Sequence, residues 1–184
     1  MVDENVLMGR VKEGDEEAFA EIVCQHQGRV FRVCLAALGD RQAADEASQD
    51  VFVRLFESIG RFRGDSLIST WLYRVALNIC ADRKRSKWWR RWLQIDPDDI
   101  GAISPNRPDR QLEERETTQE LLGALQKLPA GFRDVLILRE MEDRQYAEIA
   151  KILGLTIGTV ESRLFRARAK LKAILLEGTP NFGA

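Results

Sequence analysis

A chain of 184 residues suffices for one domain or two small ones, and 45% hydrophobic with 31% charged residues is the composition of a globule, not of a disordered chain. The apolar runs fall far short of a membrane span, and the acidic start MVDENVLMG lacks the basic flank and apolar core of a signal peptide, so a cytoplasmic protein without stable membrane insertion is expected. The formal net charge of −1 hides a segregation: −6 over residues 1–60, +7 over 61–92, −4 over 93–128, −2 over 129–150 and +4 over 151–184. Two basic islands between acidic stretches form an electrostatic footprint of nucleic-acid contact, although solvated helix faces give the same count.

In the first half, Phe19, Ile22, Val23, Val30, Phe31, Cys34, Leu35 and Leu38, then Val51, Phe52, Leu55, Phe56 and Ile59, recur at helical spacing. Asp15 suits an N-cap and Gly39 and Gly60 suit helix stops, so this half is expected to be a helical bundle. Cys24, Cys34 and Cys80 are odd in number and sit in apolar patterns, which predicts reduced thiols packed in the core. Cys24, His26 and Cys34 lack a fourth ligand and His26 is the only histidine, so neither metal nor cofactor is expected.

After the loop RFRGDS (61–66), Leu72, Val75, Ala76, Ile79 and Cys80 mark one face of a further helix. That stripe ends near Cys80, yet helix-compatible residues continue as ADRKRSKWWRRW, with Trp88, Trp89 and Trp92 at the end. A basic face that outruns its core face projects over something other than its own core. Residues 96–109 hold three prolines and no helical stripe, and four helical patterns follow at 111–127, 130–141, 145–153 and 157–176. The expected architecture is all-α: two helical domains, 1–92 and 112–184, joined by a flexible acidic linker at 93–111.

The most specific local signal is YAEIAKILGLTIGTV (146–160). Ala150 is small enough for two helices to cross closely, Gly154 permits the turn, and Val160 packs back into the angle, with Ile149, Leu153 and Leu155 completing the core. This is helix-turn-helix spacing, in which the second helix enters the major groove. A wheel at 100° per residue buries Val160, Leu164, Ala167 and Leu171. It leaves Thr159, Glu161, Ser162, Arg163, Phe165 and Arg166 as candidate contacts to a duplex. Arginine forks take guanine edges or phosphates, and a carboxylate accepts from cytosine N4. Glu161 has a second role open to it, since a glutamate in a first turn complements the helix dipole.

The segment LPAGFRDVLILREMEDRQYAEIAKILGLTIGTVESRLFRARAKL resembles the C-terminal promoter-binding domain of bacterial sigma factors of the extracytoplasmic-function group. Independently, DEASQDVFVRLF followed by RFRGDSLISTWLYRVALN resembles that group's domain that binds the polymerase and opens the minus-ten element. The resemblance covers nearly the whole chain in the right order. It implies a transcription-initiation factor that is not an enzyme and is a monomer when free of partners. Core RNA polymerase would dock on Gln49 and Asp50, with Asp45, Glu46 and Arg54 nearby. Promoter DNA at the minus-thirty-five element would meet the residues named above.

Arg61, Phe62, Arg63, Gly64, Asp65, Ser66, Trp71, Arg74 and Asn78 match the part that captures flipped minus-ten bases, for which loop donors, cations and aromatics are the physical requirement. Arg83, Lys84, Arg85 and Lys87 would follow phosphates. The resemblance also implies an anti-sigma factor as regulator, and a linker whose acids Asp96, Asp98, Asp99 and Asp109 suit the path of an anionic transcript. Position 161 departs from the group, where Lys or Arg is common. Three rivals stand beside this expectation: a stand-alone helix-turn-helix regulator, a nuclease using scattered acids, and a helical protein-binding adaptor.

Overall fold

The computed structural model describes residues 4–61, 67–92 and 111–178, and the side chains of 5, 61, 87–92 and 111–116 lie outside the description. Its elements are α1 (Glu4–Lys12), α2 (Glu16–Leu38), α3 (Arg41–Ser58) followed by a 3-10 turn (Ile59–Arg61), α4 (Ile68–Trp92), α5 (Gln111–Lys127), α6 (Ala130–Leu136) running into a π-helical turn (Ile137–Met141), α7 (Tyr146–Leu153) and α8 (Ile157–Gly178). Among the described residues there is no strand, and no helix is long and apolar enough to cross a membrane.

Local chemistry sets the ends of these helices. Asp15 accepts from the Ala18 N–H at 3.0 Å to start α2, and Asp40 accepts from the Ala43 N–H at 2.7 Å to start α3. Gly39 closes α2 with φ 76°, its N–H donating to the Leu35 carbonyl at 2.7 Å. A Cβ there would also fall 2.6 Å from Cγ of Gln126 in α5, so the bare Cα serves both the turn and a close approach. Gly60 is not the stop expected of it: α3 ends at Ser58 and Gly60 lies within the 3-10 turn.

The helix α1 was not expected from the sequence. It buries Leu7, Met8 and Val11 and places Glu4 Oε1 3.1 Å from the buried His26 Nε2. Cys34 and Cys80 are buried between α2 and α4, where the Cys80 thiol, with burial, pushes Cys34 up. Cys24 corrects the expectation of a packed thiol. Two positions beyond Ile22 is about 200° around the helix, which turns Cys24 to solvent.

The first half packs α2 against α1, α3 and α4, and the second packs α8 against α5, α6 and α7. The halves also meet, α4 on α7 and α2 on α5 and the π turn, and one contiguous apolar cluster runs from Leu7 to Ala167. The π turn is a departure from the uninterrupted helix expected over 130–141. Its extra residue, marked by the Glu142 N–H donating to the Ile137 carbonyl at 3.3 Å, ends the helix with Glu142 buried against α4.

Candidate nucleic-acid interface

The helix-turn-helix forms as its spacing predicts. Gly154 takes φ 65°, the Leu155 N–H donates to the Ala150 carbonyl at 2.9 Å, and Ile149, Val160, Leu164 and Ala167 are buried. Gln145 N–H donates to Glu148 Oε2 at 2.8 Å at the front of α7, and Thr156 Oγ1 accepts from the Thr159 N–H at 3.3 Å at the front of α8. Arg168 donates twice to Glu140 Oε1, at 3.0 and 2.7 Å, tying α8 to the π turn.

On the open side of α8, Glu161, Ser162, Phe165 and Arg166 are exposed, Phe165 to 77%. Two candidates differ from the expected display. Arg163 turns inward, its guanidinium 3.1 Å from where a Cβ on Gly131 would sit. Thr159 is half-buried, its hydroxyl 2.8 Å from that of Thr156. Glu161 also corrects an expectation: α8 begins at Ile157, so Glu161 is its fifth residue and lies past the turn on which the helix dipole acts.

Asp45, Glu46, Gln49, Asp50 and Arg54 share the exposed outer side of α3. Beside them lies a cleft of about 490 Å³ between α2 and α3, lined by Phe19, Val23, Phe52, Val53 and Phe56 with Asp45 and Gln49. Val53 is 55% and Phe56 61% exposed, with Phe56 edge-on to Phe19 at 5.4 Å. Sequence reasoning missed this apolar lining because the helical stripe assigned Phe52 and Phe56 to the core. The break in period at Val53 is the only signal of a second apolar face.

Among the described side chains of α4, Arg74, Arg83, Lys84 and Arg85 each have a partner within the chain. Arg74 donates to the Ile152 and Lys151 carbonyls at the end of α7, at 3.2 and 2.5 Å. Arg83 pairs with Glu46 at 2.9 Å and Asp50 at 2.6 Å, Lys84 donates to Gln126, and Arg85 pairs with Asp82. Asn78 is exposed and lines a cleft of about 500 Å³ between α4 and the second half, together with Arg74, Asp134 and Arg163, while Trp71 packs against the core. Phe62, Arg63, Gly64, Asp65 and Ser66 lie outside the described residues, as do the linker acids and the side chains of Arg61, Lys87 and the three tryptophans.

Where α4 meets α6, burial dominates the titrating groups. It pushes Asp134 up to about 6 despite Arg133 and Lys84 nearby, and with the help of Arg133 it lowers Lys84 to about 8. Burial also lowers Arg133, whose Nε is 3.8 Å from Asp134. For both members of the Arg133–Asp134 pair, desolvation outweighs attraction. Among the described residues no group of three or more His, Cys, Asp or Glu is placed to hold a metal ion.

Two segments match known families. Residues 22–90 match the family model for Sigma-70 region 2, and residues 118–171 that for Sigma-70, region 4. The RNA polymerase sigma-H factor of Pseudomonas aeruginosa is 30% identical over 177 residues, covering 92% of each chain. The ECF RNA polymerase sigma factor SigW of Bacillus subtilis is 32% identical over 171 residues, covering 89% of this chain and 91% of that protein. Among solved structures, CnrH in complex with the cytosolic domain of CnrY superimposes with a TM-score of 0.72 at 25% identity, over 96% of this chain and 99% of that one. The sigma factor RpoE of Bartonella quintana, in complex with the anti-sigma factor NepR, gives 0.68 at 23% identity, over 88% and 98%. A stand-alone helix-turn-helix regulator would not carry the region 2 match. The chain belongs to the sigma-70 family, as a sigma factor of the extracytoplasmic-function group that directs transcription initiation.

Proposed function

We propose that this sigma factor docks on core RNA polymerase through α3, captures the minus-ten element through the 61–66 loop and α4, and reads the minus-thirty-five element through the exposed side of α8. In this reading residues 1–92 form the polymerase and minus-ten domain, 93–111 the linker and 112–184 the minus-thirty-five domain. The observation that carries it is the sorting of surfaces. An acidic, partly apolar face on α3 adjoins the cations of α4 through the pairs of Arg83 with Glu46 and Asp50, and the open side of a helix-turn-helix is presented on a different helix, α8. An adaptor would need neither basic island. The chemistry of RNA synthesis stays with the polymerase, and the protein works in the cytoplasm where that enzyme is.

On α3, the exposed Gln49 and Asp50 supply polar contacts and Val53 and Phe56 the apolar area expected of an interface core. On α8, Arg166 and Ser162 are the base-edge candidates, and Phe165 offers apolar contact to a thymine methyl. An anti-sigma factor is the proposed regulator, supported by the sequence resemblance; the similar CnrH forms a complex with the cytosolic domain of another protein, CnrY. Run-off transcription with core polymerase on a promoter library, with and without the protein, tests the reading, and the absence of protein-dependent initiation at every promoter would overturn it. For α3, Gln49→Ala with Asp50→Ala is expected to weaken core binding, measured by competition, with helix content unchanged. Unchanged affinity would move the docking surface elsewhere.

A further inference from the structure

Arg83 does not stand where a cation that follows phosphates would. On α4 the buried stripe runs through Ala76, Ile79 and Cys80, and Arg83, four residues past Ile79 and three past Cys80, is the next position along it. Its side chain leans on α3 and is 32% exposed, against 67% for Arg85. The guanidinium ends on two acids: Nη1 donates to Glu46 Oε2 at 2.9 Å and Nη2 to Asp50 Oδ2 at 2.6 Å.

Glu46 and Asp50 are one turn apart on α3, so without a cation between them the two carboxylates repel. One planar guanidinium meets both at once, which a lysine, with a single point charge, does not do. The grip does not use the acids up. Glu46 keeps 54% and Asp50 51% of its side chain exposed, and Asp45 and Gln49 are exposed on the same helix. Arg83 holds the pair from the α4 side and leaves half of each carboxylate open to a partner.

We propose that Arg83 is a positioning residue of the polymerase-docking face: it fixes Glu46 and Asp50 side by side, so that α3 presents two oriented carboxylates beside Gln49 to a cationic surface on core polymerase. The proposal rests on the reading of α3 as that face. It takes Arg83 out of the set of residues that follow phosphates on the minus-ten strand. It also explains why the residue is an arginine, since following a phosphate asks only for a positive charge, whereas spanning two carboxylates asks for a fork.

The test measures the affinity of the full chain for core polymerase by competition. It compares Arg83→Lys, Arg83→Gln, Asp50→Asn and the double variant Arg83→Gln with Asp50→Asn, each checked for unchanged helix content by circular dichroism. Both Arg83 variants are expected to weaken core binding by about fivefold, the scale of partly exposed ion pairs. The double variant should lose less than the product of its two single losses, because Arg83 acts partly through Asp50. A role confined to stability would lower the melting temperature and leave both readouts where they were.

Wild-type core affinity in the folded Arg83 variants, or a double variant whose loss equals the product, would overturn the proposal. So would an Arg83→Gln holoenzyme that loses affinity for the single-stranded minus-ten segment while Arg83→Lys keeps it, a result that returns Arg83 to phosphate. If Arg83→Gln fails to fold, Arg83→Lys decides, with its own double variant with Asp50→Asn. Unchanged core affinity in Gln49→Ala with Asp50→Ala would sink the docking reading and Arg83 with it. A loss in that pair without a loss in either Arg83 variant would sink the positioning role alone.

Discussion

The two helices richest in Lys and Arg, α4 and α8, present them in different ways. On α4, Arg74, Arg83, Lys84 and Arg85 each reach an acceptor belonging to the chain itself, whereas on α8 Arg166 stands exposed beside Ser162 and Phe165. The difference follows from what each helix packs on. The helix α8 spends its apolar stripe on α6 and α7 and leaves one side bare, while α4 is covered on two sides, by α2 and α3 behind and by α7 in front. Similar basic composition therefore makes two different surfaces. Arg83 carries this furthest, since Glu46 and Asp50, which we assign to polymerase, are the residues that hold it.

The sharpest way to break the contrast is to remove the support of α8. Leu164 is 1% exposed, and Leu164→Ala is expected to lower stability by about 2–5 kcal/mol. Urea unfolding measures this, and minus-thirty-five binding should fall with it while the Arg83 ion pairs on α3 persist. A loss well below that range would mean that the angle between α7 and α8 does not depend on this core.

The seam beside α4 offers a change of opposite sign. Asp134 has its carboxyl raised to about 6 by burial, so its contribution favours the fold below the ordinary value near 3.8 and is lost as pH rises through about 6. Asp134→Asn removes that penalty. A stabilisation on the order of 1–3 kcal/mol is expected at pH 7.5, as follows for a carboxyl held that far above its ordinary value, shrinking as pH falls through 6 and absent near pH 4. Thermal melts across that range check the slope, and a gain that does not depend on pH would assign it to packing.

Within α8 the contrast narrows to neighbours. Arg166 is exposed and Arg163 turns in toward Gly131. Arg166→Ala is expected to remove about 1–3 kcal/mol of discrimination at one base pair, read by competition among point-substituted duplexes. Arg163→Ala should leave that discrimination in place. Equal loss on all sequences would reassign Arg166 to phosphate.

Where the chain's local chemistry decides the outcome, the fold was legible. The crossing at Ala150, the turn at Gly154 and the buried stripe of α8 follow from short spacings, and Asp15 and Gly39 cap α2 with groups within four residues. What could not be read depends on distance along the chain. Tyr73 and Glu142 are 69 residues apart and Arg83 and Asp50 are 33 apart, and no period or cap announces either pairing. The π turn is a third kind of miss: its one-residue insertion leaves the apolar pattern over 130–141 intact while changing where Glu142 ends up. The candidate site was therefore legible as a set of residues but not as a state. The cations of α4 were identified, and their partners within the chain were not.

The smallest expected change in stability belongs to Glu161, and it bears most directly on which promoter is read. Its place as the fifth residue of α8 removes the dipole account of an acid there, so Glu161→Lys should move stability by no more than about 0.5 kcal/mol. Under the proposed reading of α8 as the groove helix, the exposed Glu161 carboxylate is set to accept from cytosine N4. Reselecting the minus-thirty-five sequence with Glu161→Lys in place should then exchange the preferred base at one position, a lysine favouring guanine where glutamate favoured cytosine, with neighbouring positions held by Arg166 and Ser162 unchanged. An identical selected sequence would remove Glu161 from the reading face and leave promoter choice to the other exposed residues of α8.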